Sequence, residues 1–138
     1  MRISAAMVED IVGHARGERP RECCGLVAAD GDLAVRVYPV ENAHDHPEYG
    51  YVVDGRELLE RLEEIEDAGW RLGAIYHSHP RTAPVPSQTD INLAFVPGVG
   101  AVWPGSLYII VGFETAEPVV RAYRIESDTP EEVALSVE

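Results

Sequence analysis

The 138-residue sequence is long enough to bury its own hydrophobic core, and we expect a single domain over residues 1–138. Its 46% hydrophobic and 25% charged residues are typical of a globular protein rather than a disordered one. The net charge of −13, with eleven arginines, no lysine and 24 carboxylates, argues against the basic face that a nucleic-acid-binding protein needs.

The sequence contains no apolar run that approaches the roughly 20 residues of a membrane-spanning helix. The N-terminal stretch MRISAAMVED lacks the apolar core of a signal peptide and is acidic by Glu9. We therefore expect a cytoplasmic protein that does not contact a membrane. The acidic, lysine-free composition fits either a salty cytoplasm or a GC-rich genome.

Hydrophobic periodicity and capping residues predict elements in the order αββαβαββ. Such an order, with hairpins and one central apolar strand, indicates an α/β domain with a mixed sheet. The predicted helices run from Ser4 to near Gly17, from Asp54 to Gly69 and from Ser87 to about Phe95. The predicted strands cover residues 23–30, 32–40, 71–79, 106–113 and 118–125, with two further short strands at 51–53 and 133–137.

The connections between these elements carry their own signals. The Asp30-Gly31 pair predicts a hairpin turn. The segment from Pro80 to Pro86 holds three prolines and is predicted to be a stiff loop, while the Gly- and Pro-rich stretch that follows the third helix is typical of a flexible flap. The only two cysteines, Cys23 and Cys24, are adjacent on a predicted strand, so they point to opposite faces and are expected to be buried without a disulfide.

Two histidines end the otherwise apolar strand at residues 71–79. His77 and His79 are two residues apart, so both imidazoles point to the same side of an extended strand. Asp90 lies in the first turn of the next predicted helix, and the stiff loop can return that turn to the strand end. Two imidazoles and one carboxylate supply three ligands for Zn²⁺ and leave the fourth position open, as in catalytic zinc sites. The alternative is a surface strand end, with Asp90 present only as a first-turn acid.

Two further residues complete a hydrolytic site. Ser87, one helical turn before Asp90, is a candidate donor to a developing oxyanion. Glu22, which directly precedes the strand CCGLV, is a candidate general acid/base if that strand lies beside the histidine strand. Each also has a structural interpretation, Ser87 as a helix cap and Glu22 as an exposed residue before its strand.

At these positions the sequence resembles the JAMM (MPN+) metalloprotease family. The family signature is an early glutamate, then H-x-H, seven residues, a serine, two residues and an aspartate. Here it is met by Glu22, by His77 and His79, and by Ser87 and Asp90, with matching spacing. The similarity extends to the ECCGL and HSHP contexts, to ENA at residues 41–43 and to the strand VRAYRI.

The resemblance implies the MPN, cytidine-deaminase-like α/β fold, with a mixed, mostly antiparallel sheet flanked by helices. It implies Zn²⁺ bound by His77, His79 and Asp90, with Glu22 as general acid/base and Ser87 stabilising the tetrahedral intermediate. The reaction it implies is hydrolysis of a peptide or isopeptide bond after the C-terminal Gly-Gly of a ubiquitin-like protein. The compact chain is similar to bacterial members that process sulfur carriers, for instance by releasing cysteine.

A carrier tail is expected to lie extended in a groove. Its expected walls are the loop that carries Pro47, Tyr49 and Tyr51 and the flap from Val96 to Pro104. The sequence does not say whether this flap covers the site. A second H-x-H pair, His44 and His46, lacks a matching PSxxD and is interpreted as surface residues.

Two other functions remain alternatives. A zinc-retaining interaction module without turnover would keep the same residues. A deaminase on the same fold would need H-x-E and a CxxC pair, but His79 occupies the glutamate position and CxxC is absent.

Overall fold

The computed structural model describes residues 1–138. Its elements in chain order are β1 (Arg2–Ile3), α1 (Ala5–Glu18), β2 (Cys24–Asp30), β3 (Leu33–Val40), α2 (Gly55–Asp67), β4 (Arg71–His79), α3 (Gln88–Ala94), β5 (Phe95–Val96), β6 (Gly100–Ala101), β7 (Leu107–Gly112), β8 (Val119–Arg124), β9 (Glu131–Val133) and β10 (Ser136–Val137). No helix among them has the length and apolar character needed to cross a bilayer.

The central sheet has eight strands in the order β10-β1-β3-β2-β4-β7-β8-β9. Strand β4 lies in its middle, antiparallel to β2 and parallel to β7. The hairpins β2-β3 and β7-β8 are antiparallel, and the first has the turn that the Asp30-Gly31 pair predicts. The predicted mixed, mostly antiparallel sheet is therefore confirmed.

Helices cover both faces of this sheet. One buried cluster packs α1, through Ile11 and Ala15, against one face. The other cluster packs α2, through Ile65, and α3, through Ala94, against the opposite face. Because side chains alternate along a strand, β4 sends Tyr76 to the α1 side and His77 to the side of α2 and α3.

The capping signals predict the helix starts well. Ser4 caps α1 by accepting from the Met7 N–H at 3.1 Å, and Asp54 caps α2 by accepting from the Glu57 N–H at 3.1 Å. Glu57 does not close a reciprocal capping box, because its carboxylate accepts from the Glu41 N–H instead. The apolar pattern of α2 predicts Leu59 beside the core residues of that helix, but Leu59 is 66% exposed, so this expectation is wrong.

The edges of the sheet differ from the prediction. The expected last strand at 133–137 is two strands, of which β9 pairs with β8 and β10 with β1. Val133 and Ser136 are three residues apart, a span of about 11 Å at most, so the two edges lie close together and the sheet curls. The expected strand at 51–53 is a single bridge between Asn42 and Val53.

Two regions contain more regular structure than expected. Strand β1 is too short to leave a sequence pattern and owes its place to pairing with β3 and β10. The predicted flap contains a small hairpin, β5-β6, formed by residues 95–96 and 100–101. The two cysteines are free and buried in different clusters, as expected.

Candidate metal centre and active site

The end of β4 brings the predicted histidines together with the predicted glutamate. Cys24 of β2 pairs with His77 of β4, and the Cys23 N–H donates to the Ser78 hydroxyl at 2.9 Å. Continuing this antiparallel register places Glu22 beside His79, although 57 positions separate them in the sequence. Neighbouring strands, rather than local sequence, thus deliver the carboxylate to the histidines.

Three donor atoms converge at this strand end. The Nε2 atoms of His77 and His79 are 3.1 Å apart, and they lie 3.2 and 3.1 Å from Oδ2 of Asp90. A tetrahedral zinc ion with bonds of about 2.0–2.1 Å holds its ligand atoms roughly 3.3 Å apart. The nearly equilateral triangle therefore has the size of three zinc ligand positions, with the fourth left for another ligand.

The backbone orients His79 for such a role. Its Nδ1 lies 2.9 Å from the Ala83 carbonyl oxygen, which can only accept, so Nδ1 carries the proton there. The Nε2 lone pair is then free to face the triangle, a common arrangement for metal-binding histidines. Burial lowers the pKa of His79, but the hydrogen bonds that its ring donates to the Asp90 carboxylate and the Ala83 carbonyl oxygen outweigh burial and raise it. A proton and a metal ion thus compete for the same position, and metal binding weakens as pH falls.

His77 is held by stacking rather than by a hydrogen bond. Its ring lies 4.3 Å from the ring of Tyr51, centroid to centroid, at an interplanar angle of 19°. The side chain is fully buried, and burial lowers its pKa, so the imidazole is neutral near pH 7. Its Nδ1 has no hydrogen-bond partner. Tyr51 was expected only as a groove wall, and its packing on a histidine could not be read from spacing.

Asp90 is placed by the start of α3. Ser87 and Asp90 form a reciprocal capping box, in which the Ser87 N–H donates to Oδ2 of Asp90 at 2.9 Å and the Asp90 N–H donates to the Ser87 hydroxyl at 3.1 Å. Burial alone would raise the pKa of Asp90, but hydrogen bonds from His77 and His79 outweigh it and lower the pKa. Asp90 is therefore ionised, as a metal ligand must be.

Glu22 adjoins the triangle and forms a second possible donor set with the two histidines. A carboxylate oxygen of Glu22 is within 4.8 Å of a ring nitrogen of both His77 and His79. The side chain is 8% exposed, and burial raises its pKa to about 7. A carboxylate with a pKa near neutrality can both accept and release a proton at pH 7, as a general acid/base requires.

Asn42 holds the backbone of Glu22. Its side-chain amide donates to the carbonyl oxygens of Glu22 and Gly50, both at 2.9 Å. Its carbonyl oxygen accepts from the N–H groups of His44 and Val52 at 3.0 and 3.1 Å. The sequence pointed to Asn42 only through the ENA stretch of the family resemblance. Its hydrogen bond to Glu22 joins segments that are 20 positions apart, so local sequence does not reveal it.

The second H-x-H pair forms no comparable site. The His46 N–H donates to Nδ1 of His44 at 2.8 Å, and the two ring centroids are 6.3 Å apart. His46 is exposed and His44 is half-buried against Gly50.

Comparison with known proteins identifies the family. Residues 4–126 match the family described as prokaryotic homologs of the JAB domain. The chain belongs to this prokaryotic JAB family. It is 38% identical over 114 residues to the desampylase of Haloferax volcanii, covering 78% of this chain and 77% of that protein. It is 36% identical over 128 residues to the CysO-cysteine peptidase of Mycobacterium tuberculosis, covering 89% and 81%.

Solved structures agree with this assignment. A solution structure of a protein from Desulfitobacterium hafniense has 31% identity and a TM-score of 0.83, covering 99% of this chain and 92% of that one. A JAB1/MPN domain protein from Archaeoglobus fulgidus shares the fold at 20% identity and a TM-score of 0.63, covering 100% and 96%. The predicted JAMM/MPN family and its fold are confirmed.

Two cavities flank the JAB-family site. An apolar cavity of about 170 Å³ adjoins His77 through Tyr51 and is bounded on the flap side by Trp103. Tyr108 belongs to its lining, and the hydroxyl of this residue is buried without a hydrogen-bond partner. A polar cleft of about 200 Å³ is lined by both Glu22 and His79, and by Tyr49. The aromatic residues expected as groove walls therefore line different cavities, Tyr51 and Trp103 the apolar one and Tyr49 the polar one.

The loop from Pro80 to Pro86, which connects β4 to α3, packs closely against Gly112. A Cβ atom at Gly112 of β7 would lie 2.8 Å from the carbonyl carbon of Ala83, which is closer than such contacts occur. We expect Gly112→Ala to lower the free energy of unfolding by about 1–3 kcal/mol, as overpacking does. Since Ala83 orients His79, the variant should also bind metal more weakly, which calorimetric titration with zinc would measure. Gly55→Ala is the control, because nothing lies within 4 Å of a Cβ there. Unchanged zinc affinity in Gly112→Ala would contradict the role given to the loop.

Proposed function

We propose that this protein is a cytoplasmic, zinc-dependent peptidase that cleaves the peptide or isopeptide bond after the C-terminal Gly-Gly of a ubiquitin-like sulfur carrier. The observation that carries the proposal is the convergence of Nε2 of His77, Nε2 of His79 and Oδ2 of Asp90 to within 3.2 Å of one another. Two imidazoles and a carboxylate are a donor set that suits zinc.

The residues of the chain divide the remaining work. Zinc held by this triangle would supply Lewis acidity, which makes water acidic enough to yield hydroxide near pH 7. Glu22 takes the proton from that water and delivers it to the nitrogen of the leaving group. Its raised pKa of about 7 suits both transfers, and its burial excludes competing solvent.

Ser87 is proposed to stabilise the oxyanion. Its hydroxyl accepts from the Asp90 N–H and donates to no protein group, so its proton is free to donate into the cleft that Ser87 lines. Ser87→Ala should lower kcat by about 10²–10³-fold through loss of this donor. It should also lower the free energy of unfolding by about 1 kcal/mol through loss of the cap.

Steady-state kinetics and chemical denaturation of the Ser87 variants separate these two effects. Ser87→Thr keeps both the hydroxyl donor and the cap, and should retain activity within about tenfold of the wild type. A Ser87→Ala variant that lost stability but kept full kcat would show that Ser87 acts only as a helix cap.

The substrate class is supported by the relatives and by the shape of the site. The matched relatives are named desampylase and CysO-cysteine peptidase. On this proposal the scissile carbonyl of the carrier tail faces the triangle, beside the polar cleft that Glu22 and His79 line. The apolar cavity would take the preceding side chains of the carrier tail.

Intact-mass spectrometry tests the function. A Gly-Gly-ended sulfur carrier that carries a C-terminal adduct is incubated with zinc-loaded wild type and with Glu22→Ala. We expect the wild type alone to return the carrier mass to that of the free Gly-Gly terminus. A carrier that stays unchanged with the wild type, while zinc remains bound, would instead favour an interaction module without turnover.

A further inference from the structure

The two cavities indicate where the two parts of the substrate lie, on either side of the scissile bond. A general acid must reach the leaving nitrogen, so the leaving group lies beside Glu22. Glu22 lines the polar cleft and is absent from the apolar cavity, and the two cavities share no residue. On the proposed function, the carrier tail therefore occupies the apolar side and the leaving group occupies the polar cleft.

One arginine stands in that cleft. The lining contains Arg81 as its only arginine, next to the catalytic positions Glu22, His79 and Ser87. The guanidinium of Arg81 lies over the ring of Tyr49, with Cζ 5.4 Å from the centroid, and one Nη2 N–H donates to the Glu48 carbonyl oxygen at 3.1 Å. These two contacts hold the guanidinium beside Tyr49 and Glu48, two other residues of the lining.

Arg81 is not held in an ion pair, and its charge acts on Glu22 only from a distance, where it lowers the pKa of that carboxyl group. It forms no ion pair, although the chain carries 24 carboxylates and five other arginines do pair with one. Its only protein hydrogen bond uses one of the five guanidinium N–H groups. The remaining N–H groups can bind a planar anion in the cleft, and a carboxylate matches their fork geometry.

We propose that Arg81 recognises the free α-carboxylate of a single C-terminal amino acid, which makes this residue the determinant of the leaving group. This inference rests on the proposed function and deepens it. The cleft lining includes the carboxylates of Glu22 and Glu48 in a protein of net charge −13, and Arg81 is the one arginine of the lining that can offset their repulsion of an anionic leaving group. An isopeptide-linked lysine within a protein presents no carboxylate at this distance from the scissile nitrogen. The preferred substrate class is thus a carrier extended by one residue.

The reaction balances as a simple hydrolysis. The amide C–N bond between the last glycine and the added residue breaks, and water supplies hydroxyl to the carbonyl carbon and a proton to the nitrogen. The products are the Gly-Gly-ended carrier and a free amino acid, whose carboxylate leaves from Arg81.

The experiment compares two matched substrates. A Gly-Gly-ended carrier is extended by one alanine, either with a free C-terminal carboxylate or with a C-terminal carboxamide, and kcat/KM is measured on both. The wild type should prefer the free acid by about 10- to 100-fold, the range of a charge-assisted bidentate contact. Arg81→Met should lower kcat/KM on the free acid by that factor and leave the carboxamide within about threefold. Arg36→Met, which changes an exposed arginine over Tyr38, is the control and should keep the preference.

The possible outcomes are distinct. Equal cleavage of both substrates by the wild type would overturn the role of Arg81 while leaving the proposed function intact. An equal loss on both substrates in Arg81→Met would also overturn it, because Arg81 would then act only on the neighbouring Glu22. Cleavage of neither substrate by the zinc-loaded wild type would overturn the proposed function itself.

Discussion

Glu22→Gln is expected to abolish hydrolysis and to leave bound zinc in place. His77, His79 and Asp90 still supply three donors when Glu22 is changed, so on the proposed roles its loss removes the proton carrier without removing a ligand. General acid/base catalysis is worth roughly 10²–10⁴-fold, and kcat should fall by at least that factor. Metal analysis of the purified variant, alongside kinetics on the carrier adduct, measures both effects.

The pH dependence of the wild type follows from the same carboxyl group. Burial raises the pKa of Glu22 to about 7, and only the ionised form can take a proton from water. The kcat/KM value should therefore rise as pH increases through about 7, or lower where the charge of bound zinc favours ionisation. Activity independent of pH between 5 and 8, or zinc lost from Glu22→Gln, would contradict this role.

The stability of the metal-free protein carries a second signature of Glu22. A carboxyl group whose pKa is raised on folding stabilises the fold below its unfolded pKa near 4.5, and this contribution is lost as pH rises through about 7. Glu22→Gln should remove that loss, so at pH 8 the metal-free variant should be more stable than the wild type by about 1–2 kcal/mol, allowing for solvent screening. Urea denaturation at pH 5 and pH 8 in the presence of a chelator would show the difference.

His77→Ala and Asp90→Ala are expected to lose both zinc and activity. Loss of an outer hydrogen-bond partner of a metal ligand costs about 10- to 100-fold in metal affinity, and loss of a ligand itself should cost more. Zinc content below one tenth of an equivalent after gel filtration is the expected result. His46→Ala is the matched control, because His46 is exposed and belongs to the other H-x-H pair. Full zinc occupancy in Asp90→Ala would remove Asp90 from the ligand set.

Much of the candidate site is visible in the sequence because it is local. The i, i+2 spacing of His77 and His79 sets their common face, and the capping signal at Ser87 sets the start of α3 and the position of Asp90. These features lie within 14 residues and depend on strand and helix geometry alone. Glu22 could be named a candidate general acid/base from its place before the strand CCGLV, but only the resemblance to the JAMM family tied it to the histidines, and the comparisons confirm that family.

The features that the sequence does not reveal all depend on long-range pairing. The stacking of Tyr51 on His77 and the four hydrogen bonds of Asn42 arise because β2, β4 and the 41–53 loop meet in space. Strand β1 and the division of the tail between β9 and β10 follow from closure of the curled sheet, which leaves no periodic pattern in two or three residues. Leu59 fits the apolar pattern of α2 but lies outside the face that the sheet covers.

Anomalous X-ray diffraction at the zinc edge, on crystals of the zinc-loaded protein, tests the central claim most directly. We predict one zinc peak at about 2.0–2.2 Å from Nε2 of His77, Nε2 of His79 and a carboxylate oxygen of Asp90, with Glu22 outside bonding distance. A peak coordinated by Glu22 in place of Asp90, or no peak at this triangle in fully zinc-loaded protein, would contradict the account.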